Sequence, residues 1–250
     1  VAGGIENVLS NTVRIMPQHV LPEAYVLVAE ENGQMVGTLT VTLDSPAGLP
    51  LDKDYPVELM KLRDRHLTLC EVGSQAVVGR CRHSGVNTLL MMAGIAIATK
   101  KLHADRIVIG INPRAIDYYR AILQFAPMGQ KKAHAQLVAP VAGMELNLHA
   151  LRPFLARAYT QAMASGFLPV EHFLGELPDC ISLPEGSHQE LVRWKLSREV
   201  FREVFMQHSN HLETLDASTR QYLELQRTPR TIGQVLRPDV KNLRLLASSR

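Results

Sequence analysis

Residues 67–129 read LTLCEVGSQAVVGRCRHSGVNTLLMMAGIAIATKKLHADRIVIGINPRAIDYYRAILQFAPMG, and they decide the fold. Residues 67–78 are apolar and β-prone, with Gly73 marking a bulge or a close backbone approach. A basic turn, RCRHSGVN at 80–87, follows. Residues 88–102 are apolar on nearly every face before Lys100 and Lys101, the pattern of a buried helix. Residues 106–111 form an uninterrupted β-type run, expected of a strand covered on both faces. After an Asn-Pro turn, residues 113–125 are helical and stop near Pro127 and Gly129. The order strand, turn, buried helix, strand, helix predicts an α/β domain.

Upstream, residues 25–30 and 35–43 are β-branched runs joined by Glu31-Asn32-Gly33-Gln34. Asn-Gly between two such runs predicts a hairpin. Residues 1–23 have little periodicity and read as irregular or partly helical. The Pro- and Asp-rich segment 44–56 is long enough for a functional lid. Downstream, 137–141 and 144–148 look like closing strands. The character changes after His149, which predicts a domain over 1–150 and an α-helical extension over 151–250. Helices are expected at 151–164, from the capping-box pattern Ser187-His188-Gln189-Glu190 onward, and at about 218–226. Leu191, Trp194, Phe201, Val204 and Phe205 share one face of the middle helix, which packs on the α/β part, meets a partner or helps line an acyl site.

Composition narrows the function. An apolar fraction of 46% and a charged fraction of 20% suit a packed globular protein. A net charge of +3, with 27 scattered basic residues, excludes a strong nucleic-acid footprint. Cys70, Cys81 and Cys180 are an odd, widely spaced set that forms neither a disulfide framework nor a C-x-x-C metal site. No metal is expected, and the reducing cytoplasm is the natural compartment. The longest apolar run, at 89–98, is about half of what a bilayer span needs, so no transmembrane segment is expected. No signal-peptide pattern is visible, and the chain begins at Val1 without a methionine, as a chain lacking upstream residues would.

The turn at 80–87 lies between a strand and a helix. A helix N-terminus presents unpaired N–H groups and a positive dipole end to phosphate. Gly85 lets the backbone approach closely, and Arg80, Arg82 and His83 add polar or charged groups, with Asn87 opening the helix. An ordinary turn with solvated arginines has the same sequence. The arrangement suits a phosphopantetheine thioester whose acyl group passes to an amine. Glu71, a carboxylate in an apolar strand, is then the candidate base, directly or through water; its alternative role is a structural carboxylate paired to an arginine or to backbone amides. His66, His83 and His134 are further candidate bases. The oxyanion needs a backbone donor, expected at Ala76, Val77 or Val78 after the Gly73 bulge. The leaving thiolate needs only a weak acid. Adjacent helix residues point about 100° apart, so one of Tyr118 and Tyr119 is core. Asn112 either holds the pantetheine amide or caps the following helix. Leu89 and Met92, with Met91 and Ile95, line an acyl slot or are plain core; each buried CH₂ of a chain adds ~0.8 kcal/mol. Lys100, Lys101, Lys131, Lys132, Arg106 and Arg114 face either an acidic partner or solvent.

These segments resemble the GNAT acyltransferase fold over residues 24–148. VLVAEENGQMVGTLTV looks like its second and third strands, CEVGSQAVVGRCRHSGVN like its fourth strand and pyrophosphate loop, and IVIGINPRAIDYYRAILQFAPMG like its fifth strand and tyrosine-bearing helix. The resemblance implies a mixed, mostly antiparallel twisted sheet flanked by helices, and Tyr118 or Tyr119 as the candidate acid for the leaving thiolate. CEVGS, with segment 44–56 and the C-terminal extension, is similar to long-chain N-acyl amino acid synthases of the N-acyl tyrosine type and to acyl-homoserine-lactone synthases. That likeness implies acyl carrier protein as donor partner, its phosphopantetheine as the only cofactor-like group, and an amino acid, tyrosine first, as acceptor. Gly73, Ser74 and Gln75 stand where the lactone enzymes carry an arginine, which argues against S-adenosylmethionine. The alternatives are a lactone synthase, a coenzyme A-dependent acetyltransferase, and a non-catalytic module that binds acyl chains or protein.

Overall fold

The computed structural model describes residues 23–82, 84–132 and 140–151, together with Ala217, Gln221 and 244–246. Strands β1 (Ala24–Glu31) and β2 (Gln34–Leu43) form the expected hairpin. Asn32 and Gly33 take φ of 52° and 76°, the pair of left-handed residues that a tight hairpin turn requires. Strand β3 (Leu69–Val77) lies antiparallel to β2, and helix α2 (Val86–Lys100) crosses over to β4 (Arg106–Ile111), which is parallel to β3. After helix α3 (Ile116–Leu123) come β5 (Ala126–Pro127) and β6 (Ala142–Asn147), the latter antiparallel to β4. A short β7 (Arg244–Leu246) pairs in parallel with β1. The sheet runs β5-β6-β4-β3-β2-β1-β7. It is mixed and mostly antiparallel, with helices against it, as expected.

Alternation along the strands sends two residue sets to opposite faces. Cys70, Val72, Ile107 and Ile109 face α2, whose Leu90, Ile95 and Ile97 are fully buried in the larger core. Leu69 and Val108 face the other way, into a second core with Leu49, Leu51, Tyr55, Leu59 and Leu62. Helix α1 (Pro56–Arg63) supplies Leu59 and Leu62 to it. Each such side chain, fully buried, contributes about 1.5–3 kcal/mol. Segment 44–56 is therefore not an open lid. Its Pro50–Lys53 stretch is a 3-10 turn with Leu51 inward, and Tyr55 is fully buried. The Tyr55 hydroxyl reaches the carbonyls of Gln130 and Val141 at 2.8 and 3.0 Å.

Three further differences have physical causes. The bulge in β3 falls at Ser74–Gln75, while Gly73 itself pairs with Thr40. The helix after Asn112 opens as a 3-10 turn over Pro113–Ala115 before becoming α3. Strand β7 makes the extension after 150 not wholly helical. Residues 148–151 are helical, and Val141 bridges Lys132. The expected segments 1–22, 137–139, 152–164, the helix from 187 onward and most of 218–226 lie outside the described residues, as do His83 and His134.

Candidate active site

The β3–β4 ladder has three rungs: Leu69↔Arg106, Cys70↔Ile107 and Glu71↔Val108. Beyond Glu71, β3 follows only β2, up to Gly37↔Val77, and β4 follows only β6, up to Ile111↔Ala142. The β3–β4 ladder ends there, and the wedge between the two strands beyond Glu71 is the candidate cleft. In β2–β3, Thr40 faces Gly73 and Thr38 faces Ala76, so Ser74 and Gln75 drop out of register. Ser74 has φ 48°.

Glu71 is 7% exposed. Its Oε2 accepts the Leu51 N–H at 2.7 Å. Its Oε1 lies 3.5 Å from where a Gly73 side chain would begin, so the missing side chain leaves that oxygen uncovered. Burial pushes its carboxyl up to about 8; the Leu51 N–H opposes this, and the charges of Asp52, Asp54 and Asp44 add to it. A carboxylate so tuned takes a proton from an amine far better than an ordinary one. Asp44 and Asp52 are both bound by Arg63 of α1.

Gly85 caps α2 with φ 84°, and no other atoms lie within 4 Å of where its Cβ would stand. The first N–H groups of a helix have no partner within it, the property an anion site uses. Arg82 is exposed. Arg80 instead donates to Gln34 Oε1 at 3.0 Å and is drawn toward the β1–β2 hairpin. Asn112 Oδ1 accepts the Arg114 N–H at 3.0 Å, the capping role.

Tyr118 is exposed, with its hydroxyl 3.4 Å from Thr88 Oγ1. Tyr119 stands edge-on to Phe125 at 5.7 Å, and burial raises its phenol. Its hydroxyl lies 3.5 Å from Gln75 Oε1, and Gln75 Nε2 donates to the Asn87 carbonyl at 2.9 Å. Gln75 therefore spans β3, the start of α2 and α3. Sequence reasoning passed over it; the available signal was a polar Ser-Gln pair inside an otherwise apolar strand.

Two expectations need correction. The Val78 N–H donates to the Val36 carbonyl at 2.9 Å, so it is no free oxyanion donor. Antiparallel alternation turns the Ala76 N–H toward β2 as well and leaves that of Val77 facing the cleft. Met92 is 3% exposed within the larger core and Leu89 packs half-buried against it, so both are packing residues. A cavity of about 410 Å³ lies elsewhere, along Val28, Thr38 and Ala76–Val78, with Met35, Val36 and Gly37. Among the described residues, no helix is long and apolar enough to cross a membrane.

The site can be set beside known proteins. The family model of N-acyl amino acid synthase FeeM matches residues 2–147. Among solved structures, FeeM, an N-acyl amino acid synthase from uncultured soil microbes, shares 26% identity over 54% of this chain and 79% of its own, with a TM-score of 0.49. BjaI, a CoA-dependent acyl-homoserine lactone synthase, shares 15% identity over 54% of this chain and 64% of its own, with a TM-score of 0.39. A GNAT-family acetyltransferase from Streptococcus pneumoniae shares 18% identity over 52% of this chain and 70% of its own, with a TM-score of 0.38. No curated protein matches the chain. With a buried carboxylate at the parting of two parallel strands and more than half of its length matched, the chain belongs to the FeeM family of N-acyl amino acid synthases and is an acyltransferase.

Proposed function

We propose that this enzyme moves a long-chain fatty acyl group from the phosphopantetheine thioester of acyl carrier protein to the α-amine of an amino acid, tyrosine by preference, in the cytoplasm. The observation that carries the reading is Glu71, buried where β3 and β4 separate. The carrier donor and the tyrosine acceptor rest on the family resemblance. The phosphate end of the donor arm lies at the start of α2, over Gly85 and Asn87, with Arg82 adding charge. Arg80 joins it only on leaving Gln34. The arm then runs down the cleft toward Glu71.

The amine attacks the thioester carbonyl, a C–N bond forms, and Glu71 receives the amine proton through a water. Strand geometry selects the oxyanion donor. Val77 lies six residues beyond Glu71, about 20 Å at ~3.3 Å per residue. A carboxylate acting through one water spans roughly 15 Å from its Cα to the far donor, counted in hydrogen-bond lengths. The bulge at Ser74–Gln75, about 10–13 Å away, fits that reach. The Gln75 N–H is thus the preferred donor over Ala76, Val77 and Val78. The C–S bond then breaks, and the leaving thiolate takes a proton from Tyr119, with Tyr118 as the alternative.

Mass spectrometry tests the reading. The chain is incubated with long-chain acyl carrier protein and the twenty amino acids, then with acyl-coenzyme A in place of the carrier. The expected result is an N-acyl amino acid from the carrier-bound donor alone. Acetyl transfer from acetyl-coenzyme A to another amine, with no acylated amino acid, would overturn it.

A further inference from the structure

The oxygen of Glu71 is held by a backbone donor, the Leu51 N–H at 2.7 Å, from a segment 20 residues away in sequence. A backbone donor has no side chain of its own to aim it. Its position depends on whatever fixes the segment around it. Around Leu51 the buried Leu51 and Tyr55 side chains anchor the segment, and a guanidinium ties its two aspartates together. Arg63 Nε and Nη2 donate to the two oxygens of Asp44 at 2.6 and 2.9 Å, while Nη1 and Nη2 donate to the two oxygens of Asp52, both at 2.6 Å. Two-point contacts to both carboxylates fix angle as well as distance. Asp52 Oδ2 also takes the Leu49 N–H at 2.7 Å, and the Leu51 carbonyl accepts the Tyr55 N–H at 2.9 Å. Leu51 is therefore bracketed on both sides by bonds that trace back to α1.

The same cluster sets charge. Asp44, Asp52 and Asp54 on this segment all raise the Glu71 carboxyl, and the Glu71 charge in turn raises the neighbouring Cys70 thiol on β3. From β2 and β4, the residues in register with Glu71 are Thr42 and Val108, which carry no charge. Lys53 lies on the same 3-10 turn. Arg63 is the cation bonded to two of the three aspartates, which hold it firmly protonated.

We propose that Arg63 is a positioning residue for Glu71: by clamping Asp44 and Asp52 it holds the Leu51 N–H on the Glu71 carboxylate and offsets two negative charges beside it. This rests on Glu71 being the base. Loss of the clamp frees Leu51 and exposes Glu71 to uncompensated charge, and both changes disfavour the ionised base. A neutral side chain at Asp52 acts in the opposite sense. Asn keeps an acceptor for the Leu49 N–H while removing one charge.

The test is the pH profile of kcat/KM for the full chain, with the donor and acceptor that give product in the mass-spectrometric assay. Wild type, Arg63→Met, Asp52→Asn and Glu71→Gln are compared. Arg63→Met is expected to move the rising limb up by about one pH unit, and Asp52→Asn to move it down. A purely structural role lowers the plateau and leaves the limb in place. Limbs that superimpose on wild type after scaling, with Glu71→Gln inactive, overturn the positioning role and leave the base standing. A Glu71→Gln protein that keeps both activity and limb overturns base and positioning together. Should Arg63→Met not fold, the Arg63→Lys limb decides, since lysine keeps the charge but cannot make the two-point contacts: an upward move supports the clamp, and an unmoved limb refutes it.

Discussion

Replacing Glu71 with Gln keeps the shape and the acceptor for the Leu51 N–H but removes the ionisable group. In the folded chain the carboxyl is raised from 4.5 to about 8, chiefly by burial. Below pH 4.5 it is protonated whether the chain is folded or not, so ionisation does not affect stability. Between 4.5 and 8 the unfolded chain ionises and the folded chain does not, so stability falls as pH rises. Above 8 both ionise and the loss is complete. At ~1.4 kcal/mol per pH unit, the gap sets a ceiling of roughly 5 kcal/mol. Glu71→Gln is exempt from this loss. For a chain of this size, ~2–4 °C accompanies each kcal/mol, so a melting gap of roughly 10–20 °C is expected at pH 9. Thermal unfolding of both proteins from pH 5 to 9 measures it. The curves should meet near pH 5 and diverge upward, with the inactive variant the more stable. Parallel curves would refute the claim that Glu71 is a buried, unneutralised carboxyl.

Gly143→Ala places a methyl 2.8 Å from the Tyr55 ring, which is buried and pinned through its hydroxyl. A loss of about 1–3 kcal/mol in urea unfolding is expected. Gly85→Ala meets no neighbour but forces a side chain to φ 84°, which costs about 1 kcal/mol. Steady-state kinetics should show a raised donor KM with kcat nearly kept. Tyr119→Phe keeps the ring against Phe125 and loses only the hydroxyl. Its kcat should fall at least ~10-fold, with the melting temperature almost unchanged.

Local signals were legible in the sequence where the chain itself supplies the cause. Asn32-Gly33 fixes a turn by its backbone preference, and 106–111 reads as a strand because every residue suits one. An acidic residue in an apolar strand marked Glu71 in the same way. Helix α1 was not legible. It has eight residues, too few to be stable alone, and it depends on Leu59 and Leu62 packing in the second core. The bulge was misplaced by one residue because glycine permits a bulge without requiring one; here Gly73 keeps its rung and Ser74 takes the left-handed turn. Leu51 gave no signal as a functional residue, since it acts through a backbone N–H whose position is set by Arg63. The choice between acyl slot and core was not legible for Leu89 and Met92, because an apolar helix face looks the same whether it meets a substrate or a sheet.

The three-rung joint between β3 and β4 has a mechanical consequence. Each half of the sheet is firmly knit within itself, and the halves share only the pairs from Leu69 to Glu71 along this seam. From Glu71 to the end of β3 is a lever of about 20 Å. A rotation of about 3° at the seam swings the mouth of the cleft by ~1 Å, a displacement that can change a reaction rate ~100-fold. Glu71 sits at the fulcrum and barely moves, while the start of α2 travels the full arc. Substitutions at Leu69 or Cys70 therefore act at the far end of the lever, at the start of α2.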